Sequence, residues 1–383
     1  MTPSVPKSPS TPPLSSLPTA FPEKTCYRRG LCPVSSLRQE GPELLESHSL
    51  YYEQHGPAAM KGNDEAIEKL DKVVFIMGLN SSSFSWGPQV RWFGLKGGET
   101  GKGTCTALVF DNRGVGNSGY PRGPYTTSGM AEDVICLLDY LGWTGERSVH
   151  VVGISLGGMI AQELAYRIPQ RICSLVLAVT TPGGRIWNNF PPLKGLTCLT
   201  KLTFTLDNEK KVPIVLDMLF PKAWLAEKAK TDPHAEWNGN TEDNKQGKTN
   251  YDVQAEGFLR RVAITKPQQL MGHLSQMAAA LTHQVAPERL AYIAANVPKV
   301  ILVTGDEDHL VRPSGSFRIY EAMKKGLSKS DEASNSSRVE LLQWEGTGHG
   351  IHAQREDEFN LLVERCVREG KALVSGEFKA KDA

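Results

Sequence analysis

The amino-acid sequence predicts an α/β fold in which a mostly parallel sheet is covered by helices on both faces. Two observations lead to this prediction. Short, continuous apolar runs recur along the chain, and segments with helical periodicity separate them. Strands buried on both faces of a sheet have this character, because neither face meets water. A long helical block interrupts the alternation over residues 184–296, which predicts a lid inserted into the sheet domain.

The predicted strands are short and end in turn signals. They cover residues 73–77, 107–110, 149–152, 172–179, 300–303 and 339–342. Residues 47–54 alternate in polarity and include two tyrosines, which is typical of a strand in an antiparallel pair. Helices are predicted over residues 130–141 and 159–168. In the second helix Ile160, Leu164 and Ile168 recur every four residues and form one apolar stripe.

The domain organisation follows from this alternation. We predict a core built from residues 44–183 and 297–370, a lid over 184–296 and a C-terminal tail over 371–383. Residues 1–43 are predicted to be a disordered extension rich in Ser and Pro. Its repeated prolines oppose the amphipathic helix of an organelle transit peptide. We therefore expect a cytoplasmic protein, with organelle targeting as the alternative.

The overall composition excludes several classes of protein. The 383-residue chain has a formal net charge of +1, which does not suggest nucleic-acid binding. Its seven cysteines are scattered and show no CxxC spacing, which argues against a disulfide framework or a zinc site. No apolar run reaches the length of about 18 residues that a membrane-spanning helix needs.

The candidate nucleophile is Ser155, at the centre of the pattern Gly153-Ile154-Ser155-Leu156-Gly157. The pattern directly follows a predicted strand and directly precedes a predicted helix. A serine at such a sharp turn is exposed above the sheet edge, and the helix N-terminus stabilises negative charge beside it. The alternative is an ordinary glycine-rich turn between a strand and a helix.

A serine nucleophile needs a base and an acid that orients the base. His349 lies between two glycines after the last predicted strand, and His352 is the nearby alternative. Asp308 follows the strand over residues 300–303, and Asp306 is a competing acid that suits a turn position. The predicted triad is therefore Ser155, His349 and Asp308.

An oxyanion hole requires two backbone N–H groups. The residue after the nucleophile, Leu156, supplies one of them in this type of turn. The second is predicted from Leu79, which follows the strand over residues 73–77 and the turn residue Gly78.

These motifs resemble the α/β-hydrolase superfamily, and the resemblance extends from about residue 47 to residue 367. The matching segments are residues 73–86, 111–118, 151–162, 300–311 and 346–351. They look most like esterases and methyl-ester hydrolases with Met-Gly-Leu in the oxyanion loop, although many members carry His-Gly there. The resemblance implies an eight-stranded sheet. It also implies that the turn over residues 111–118 is structural, so Arg113 is left out of the site.

The predicted reaction is the hydrolysis of carboxylic esters through an acyl-enzyme, without a metal or an organic cofactor. An acyltransferase, a peptidase or a cofactor-free haloperoxidase-like enzyme could use the same triad. A non-catalytic binding protein on this fold is the remaining alternative. The sequence assigns no oligomeric state.

The lid is predicted to select the substrate. Residues 268–282 carry apolar side chains at helical spacing, and Met271, Met277 and Leu281 are predicted to line the substrate pocket. Part of this stripe is expected to pack against the sheet domain. Because ligand pockets are mostly apolar, we expect a small to medium hydrophobic ester as the substrate.

Overall fold

The computed structural model describes residues 17–37, 45–101, 103–230, 247–327 and 338–377. Eight strands form one sheet in the order β1-β2-β4-β3-β5-β6-β7-β8. The strands are β1 (Cys26–Leu37), β2 (Leu45–His55), β3 (Asp71–Ile76), β4 (Cys105–Phe110), β5 (Val149–Ile154), β6 (Ile172–Ala178), β7 (Lys299–Gly305) and β8 (Val339–Trp344). Strands β3 to β8 run parallel, whereas β1 and β2 are antiparallel at one edge. The predicted mostly parallel, eight-stranded sheet is confirmed.

Helices connect the strands and cover the sheet. They are α1 (Asp64–Glu68), α2 (Gly87–Arg91), α3 (Thr127–Tyr140), α4 (Leu156–Arg167), α5 (Leu193–Phe204), α6 (Asn208–Leu219), α7 (Lys222–Ala226), α8 (Asn250–Ile264), α9 (Leu270–Thr282), α10 (Pro287–Asn296), α11 (Ser314–Lys325), α12 (Ile351–Gln354) and α13 (Glu356–Ser375).

Successive side chains of each central strand enter two different apolar layers. In β3, Val74 and Ile76 pack with α3 and α4 on one face of the sheet, whereas Val73 and Phe75 pack with α13 on the other. Successive residues of a strand point to opposite faces, so a run that is apolar throughout buries both. This two-sided burial is the reason why the apolar runs predicted the strands.

Strand β1 corrects the predicted boundary of the disordered extension. It lies within residues 1–43 but pairs along its length with β2, and its side chains Cys32 and Val34 are buried. Arg28, Arg29, Gly30 and Pro33 weakened the strand signal in the sequence. Proline is tolerated here because β1 is the edge strand of the sheet.

Two further boundaries also differ from prediction. Helix α10 falls within the predicted lid, yet Leu290 and Ile293 lie in the same apolar core as Leu164 of α4. Helix α13 continues to Ser375, beyond the predicted start of the tail. The rest of the insertion has its own small core of Val212, Leu216, Phe220 and Leu225. Residues 1–16 and 38–43 of the predicted extension, and residues 378–383 of the predicted tail, lie outside the described residues.

None of the helices that the structure describes combines the length and apolar character required to cross a membrane. The seven cysteines, all of which lie in described segments, carry free thiols.

Burial keeps three histidines neutral in the folded protein. His150 of β5 is hydrogen-bonded to the Ser174 hydroxyl at 2.8 Å, and His283 to the Thr127 hydroxyl at 2.9 Å. Burial lowers the pKa of His150 and of His352 to about 3, and that of His283 to about 4. In the unfolded chain their pKa returns to about 6.5. Below pH 6.5 the unfolded chain therefore binds protons that the folded protein does not.

We predict that the free energy of unfolding falls as the pH drops from 6.5 towards 4. Each histidine with a pKa near 3 costs about 2 kcal/mol of stability at pH 5 by proton linkage. Asp111 has the opposite effect on the free energy of unfolding, because burial raises its pKa to about 6 and a lower pH therefore favours the folded state. This single group offsets only part of the effect of the three histidines. Chemical denaturation at pH 7.5 and pH 5 measures the difference, and His150→Gln should reduce it. An equal free energy of unfolding at both pH values would contradict the prediction.

Candidate active site

Ser155 occupies a strained turn between β5 and α4. Its backbone has φ = 56° and ψ = −121°, which is rare for a residue with a side chain. The Ser155 N–H donates to the Ala178 carbonyl at 2.9 Å, which helps to hold this conformation. Helix α4 begins at the next residue, so its N-terminal N–H groups lie beside the serine.

The two glycines of the motif permit close approach of the backbone. A Cβ atom on Gly157 would lie 2.0 Å from the Ile76 carbonyl oxygen of β3. A Cβ atom on Gly153 would lie 2.4 Å from the Gly157 carbonyl oxygen. Any larger residue would push α4 away from the sheet and move Ser155. The glycines thus set the position of the turn, as the motif predicted.

The structure brings Asp308 and His349 together. Nδ1 of His349 lies 2.8 Å from Oδ2 of Asp308, and both side chains are buried. The other carboxylate oxygen of Asp308 accepts the N–H groups of Leu310 and Val311 at 2.8 and 2.9 Å. The carboxylate is therefore fixed from both sides. In this arrangement Nδ1 of His349 donates to Asp308, which leaves Nε2 to act as a base.

The competing residues are engaged elsewhere. Oδ1 of Asp306 accepts the Thr347 N–H at 3.1 Å, which is the turn position that the sequence predicted for it. Nε2 of His352 lies 3.2 Å from the Ser85 carbonyl oxygen, and its ring packs edge-on against Trp86. Asp306 and His352 therefore do not form the hydrogen-bonded pair that Asp308 and His349 form.

Within the described part of the chain, no hydrogen bond joins the Ser155 hydroxyl to His349. In enzymes without substrate such bonds are commonly long, and they tighten when the substrate binds. Within the predicted triad, the hydrogen bond present in the described structure therefore joins His349 and Asp308.

The helical insertion supports the loop that carries His349. The Gly350 N–H donates to the Leu219 carbonyl at 2.9 Å, at the end of α6. A Cβ atom on Gly348 would lie 2.5 Å from the same oxygen, and one on Gly350 would lie 2.3 Å from the Phe220 ring. The glycines on both sides of His349 therefore allow the insertion to pack directly on this loop.

The predicted oxyanion loop lies next to the serine. A Cβ atom on Gly78 would be 3.1 Å from Cβ of Ser155 and 3.6 Å from its Oγ. The N–H groups of Leu79 and Leu156 donate to no backbone carbonyl among the described residues. Both N–H groups therefore remain available to a further acceptor, as the donors of an oxyanion hole must be.

Gln276 of α9, which the sequence pattern did not single out, holds the predicted oxyanion loop. Its Oε1 accepts the Asn80 N–H at 2.9 Å, and its Nε2 donates to the Arg113 carbonyl at 2.8 Å. Gln276 is completely buried. Asn80 has φ = 58°, an unusual conformation that this bond helps to maintain directly after Leu79. A lone amide within an apolar helical stripe was the available signal in the sequence.

We predict that Gln276→Met lowers kcat about tenfold, with little change in KM. Methionine fills a similar volume but cannot accept the Asn80 N–H, so the Leu79 N–H loses its fixed direction. Removal of an oxyanion donor itself costs about 10²- to 10³-fold in kcat, and misdirection of one should cost less. Steady-state kinetics on a soluble ester measure the change.

Gln268→Met is the matched control for this prediction. Gln268 joins the same part of the insertion to the core, because its Nε2 donates to the Gly114 carbonyl at 2.8 Å. It makes no hydrogen bond to the oxyanion loop. If both variants lose the same fraction of kcat, Gln276 only anchors the helix and does not position the loop.

The turn over residues 111–118 is tied into the core. Arg113 pairs with the buried carboxylate of Asp133, through Nε at 2.6 Å and Nη2 at 2.5 Å. The Asp111 carboxylate accepts the N–H groups of Ser83 and Asn117, both at 2.7 Å. These bonds account for both charged groups, which agrees with the exclusion of Arg113 from the site.

The predicted pocket residues of α9 differ in their surroundings. Met271 is 65% exposed, whereas Met277 and Leu281 are half-buried. The buried side of the same helix instead carries Gly272 and Gln276. The structure therefore does not place Met271 in an enclosed pocket, because the helix turns that side chain towards solvent.

A buried polar cluster where the start of β1 meets the end of β2 has the spacing of a metal site. Ligand atoms of Cys26, Glu53 and His55 lie within 4.8 Å of one another. Glu53 already accepts hydrogen bonds from the hydroxyls of Tyr51 and Thr19, at 2.6 and 2.8 Å. Burial raises the pKa of the Cys26 thiol to about 12, which opposes the thiolate that a metal would need. The cluster fits a hydrogen-bonded anchor for β1 better than a metal ligand set.

Comparison with curated proteins finds partial relatives. A poly(3-hydroxyalkanoate) depolymerase of Ectopseudomonas oleovorans is 43% identical over 76 residues, which cover 20% of this chain and 26% of that protein. A putative carbamate hydrolase of Variovorax paradoxus is 32% identical over 184 residues, which cover 47% of this chain and 59% of that protein. In both cases the match spans less than two thirds of the relative's length.

Comparison with solved structures and with family models covers more of the chain. A hydrolase from Pseudomonas aeruginosa superposes with a TM-score of 0.56 at 20% identity, covering 88% of this chain and 98% of that one. A putative non-heme bromoperoxidase from Mycobacterium tuberculosis gives 0.57 at 20% identity, covering 84% and 96%. At this identity the likeness shows the fold alone. The model of the alpha/beta hydrolase family matches residues 73–360, which include all three residues of the predicted triad. The chain therefore belongs to the alpha/beta hydrolase family.

Proposed function

We propose that this chain is a serine hydrolase that cleaves carboxylic esters through an acyl-enzyme. Ser155 is the nucleophile, His349 the general base and Asp308 the acid that orients His349. The observation that carries the proposal is the 2.8 Å bond between Asp308 and His349 in loops that end neighbouring strands. The strained turn at Ser155, between β5 and α4, supports it.

The proposed reaction begins with proton transfer. Nε2 of His349 accepts the proton of the Ser155 hydroxyl, and Oγ attacks the ester carbonyl carbon. The negative charge that develops on the carbonyl oxygen is stabilised by the N–H groups of Leu79 and Leu156. His349 then protonates the leaving alcohol, and the C–O bond to it breaks.

Deacylation repeats these steps with water. His349 removes a proton from a water molecule, which attacks the acyl carbon. The bond between that carbon and Oγ of Ser155 then breaks, and His349 returns the proton to Oγ. Asp308 stabilises the imidazolium that forms twice in each cycle. Every step uses groups of this chain, the substrate and water.

The names of the relatives suggest which other carbonyl compounds should be included as test substrates. A 3-oxoadipate enol-lactonase of Acinetobacter baylyi is 32% identical over 108 residues, beside the putative carbamate hydrolase already described. The test therefore compares p-nitrophenyl esters of increasing acyl length with a lactone, a carbamate, a thioester and an anilide. We expect the highest kcat/KM with an ester. A preference for the anilide, the thioester or the carbamate over every ester would refute the ester proposal.

We further propose that α9 influences acyl-length preference, and the same ester panel tests this prediction. Trimming the half-buried Met277 or Leu281 to Ala should shift the optimum towards longer acyl chains, because each truncation opens apolar space. Met271→Ala is the matched control, since this side chain is 65% exposed on the same helix. If all three variants keep the wild-type profile, selectivity does not lie in α9.

A further inference from the structure

The first part of the insertion is basic and contains no acidic residue. Residues 185–206 include Arg185, Lys194 and Lys201 but neither Asp nor Glu, although 22% of the whole chain is charged. Lys194 is paired with Asp217 of α6 at 3.2 Å, whereas no ion pair of Arg185 or Lys201 is found within the described ranges. The segment therefore presents a positive charge to its surroundings.

The same segment exposes large apolar side chains. Leu193 at the start of α5 is 80% exposed, and Phe204 at its end is 82% exposed. Trp187, Phe190, Leu196 and Leu206 are exposed as well. Single exposed apolar residues are ordinary, but such a concentration within 22 residues indicates a surface that meets another apolar phase.

The threonines of α5 strengthen this apolar character. Thr197, Thr200 and Thr203 are exposed, yet each hydroxyl donates to the carbonyl four residues earlier at 2.9 Å. Hydroxyls bonded in this way are satisfied within the helix and need no water. At 100° per residue they share the face of Leu193 and Phe204, while Gly195 and Cys198 are buried on the other side.

This surface, residues 185–206, lies beside the candidate active site. A Cβ atom on Gly195 would be 2.1 Å from the His309 carbonyl oxygen, directly after Asp308. Nη1 of Arg312 donates to the Phe190 carbonyl at 2.9 Å. The segment thus packs on the loop that carries the acid of the predicted triad.

We propose that residues 185–206 dock onto the surface of a membrane that contains anionic phospholipid. An amphipathic helix with Leu and Phe on one face and basic residues beside it binds in the plane of such an interface. The excess of positive charge favours anionic headgroups. The internally bonded threonine hydroxyls lower the cost of moving this face of the helix out of water. A protein groove would instead need hydrogen-bond partners matched to polar groups around the apolar face, and the segment has few such groups. The proposal goes beyond ester hydrolysis, and it implies that substrate reaches the site from the bilayer surface.

The test is sedimentation of the full chain with vesicles. We expect binding to phosphatidylcholine vesicles that contain phosphatidylglycerol, weaker binding to pure phosphatidylcholine, and a decline as salt is added. The double variant L193S/F204S should lower the partition coefficient at least about tenfold, since it removes two large apolar contacts. Arg185→Gln combined with Lys201→Gln should remove most of the preference for the anionic vesicles, since these are the two basic residues of the segment for which no ion pair is found within the described ranges.

Phe317→Ser is the matched control, because Phe317 is a 40% exposed apolar residue on α11 of the sheet domain. It should bind vesicles like the wild type. Equal binding by the control and the L193S/F204S variant, or no binding by the wild type, would overturn the proposal. So would self-association of the wild type that the L193S/F204S variant abolishes, since the surface would then bind a second copy.

Turnover of a soluble short-chain ester separates this proposal from the proposed function. L193S/F204S should retain it within about twofold, because neither residue belongs to the triad or to the oxyanion loop. Conversely, Ser155→Ala should bind vesicles normally. Loss of vesicle binding with retained turnover of soluble ester refutes only the membrane surface, and vesicle binding without any ester turnover refutes only the esterase.

Discussion

Replacing Ser155 with alanine should abolish covalent labelling by a fluorophosphonate and lower kcat for esters by about 10⁴- to 10⁶-fold. The members of a triad act as a unit, so the loss of the nucleophile leaves only the contribution of binding and the oxyanion hole. Folding should be intact, because no hydrogen bond of the Ser155 hydroxyl holds the turn together in the described structure. Its backbone N–H and carbonyl, which alanine retains, make those bonds.

Ser148→Ala provides the control for this experiment. Ser148 lies just before β5, at the opposite end of the strand from Ser155, and its hydroxyl donates to the Gly145 carbonyl at 2.7 Å. Its replacement should leave labelling and kcat unchanged. Peptide mapping of the labelled wild type identifies the modified residue. A label on any serine other than Ser155 would disprove the assignment.

The strands could be predicted because their burial is recorded directly in the sequence. A parallel strand between two layers of helices must be apolar on both faces, and Val73 to Ile76 or Leu175 to Leu177 show this without interruption. Strand β1 has no such signature. It lies at the sheet edge, where Pro33 is permitted and where Arg28 and Arg29 interrupt the apolar pattern. Its pairing with β2, and not the character of its side chains, makes it a strand.

The helices of the insertion were harder to assign for a related reason. Periodicity identifies an apolar face, but it does not identify the element that covers this face. Helix α10 has the same kind of pattern as α9, yet Leu290 packs into the core of the sheet domain. In α9 the apolar residues divide, so that Met271 faces solvent while Ala279 is buried. Tertiary contacts decide such cases, and the sequence does not record them.

The residues of the candidate site likewise fall into two groups: those that the local sequence pattern indicated and those that only the fold reveals. Ser155, Asp308 and His349 each follow a strand, so the carboxyl ends of parallel strands place them at one edge of the sheet. Local pattern was the basis for proposing them, and the structure places Asp308 and His349 within 2.8 Å of each other. Gln276 is 196 positions from Asn80, its partner, and belongs to the insertion. Only the folded arrangement reveals that it supports the oxyanion loop.

Asp308→Asn should lower kcat about 10³- to 10⁴-fold, whereas Asp306→Asn should cost less than about tenfold. The two acids are two residues apart in one loop, so each variant serves as the control for the other. Asp308 lies 2.8 Å from Nδ1 of His349 and is held by two backbone N–H groups. Asparagine in its place offers an N–H group or a weaker acceptor, so the tautomer with a basic Nε2 is no longer favoured.

Asp306 lacks this connection to the base. Its Oδ1 accepts the Thr347 N–H at 3.1 Å, and the side-chain oxygen of asparagine can accept the same bond. Asp306→Asn should therefore preserve the loop and most of the activity. The measurement is kcat/KM on one soluble ester, with circular dichroism to verify that both variants fold. Small and equal losses in the two variants would mean that neither carboxylate orients His349, and Glu307, the remaining acid between them, would be the next residue to replace.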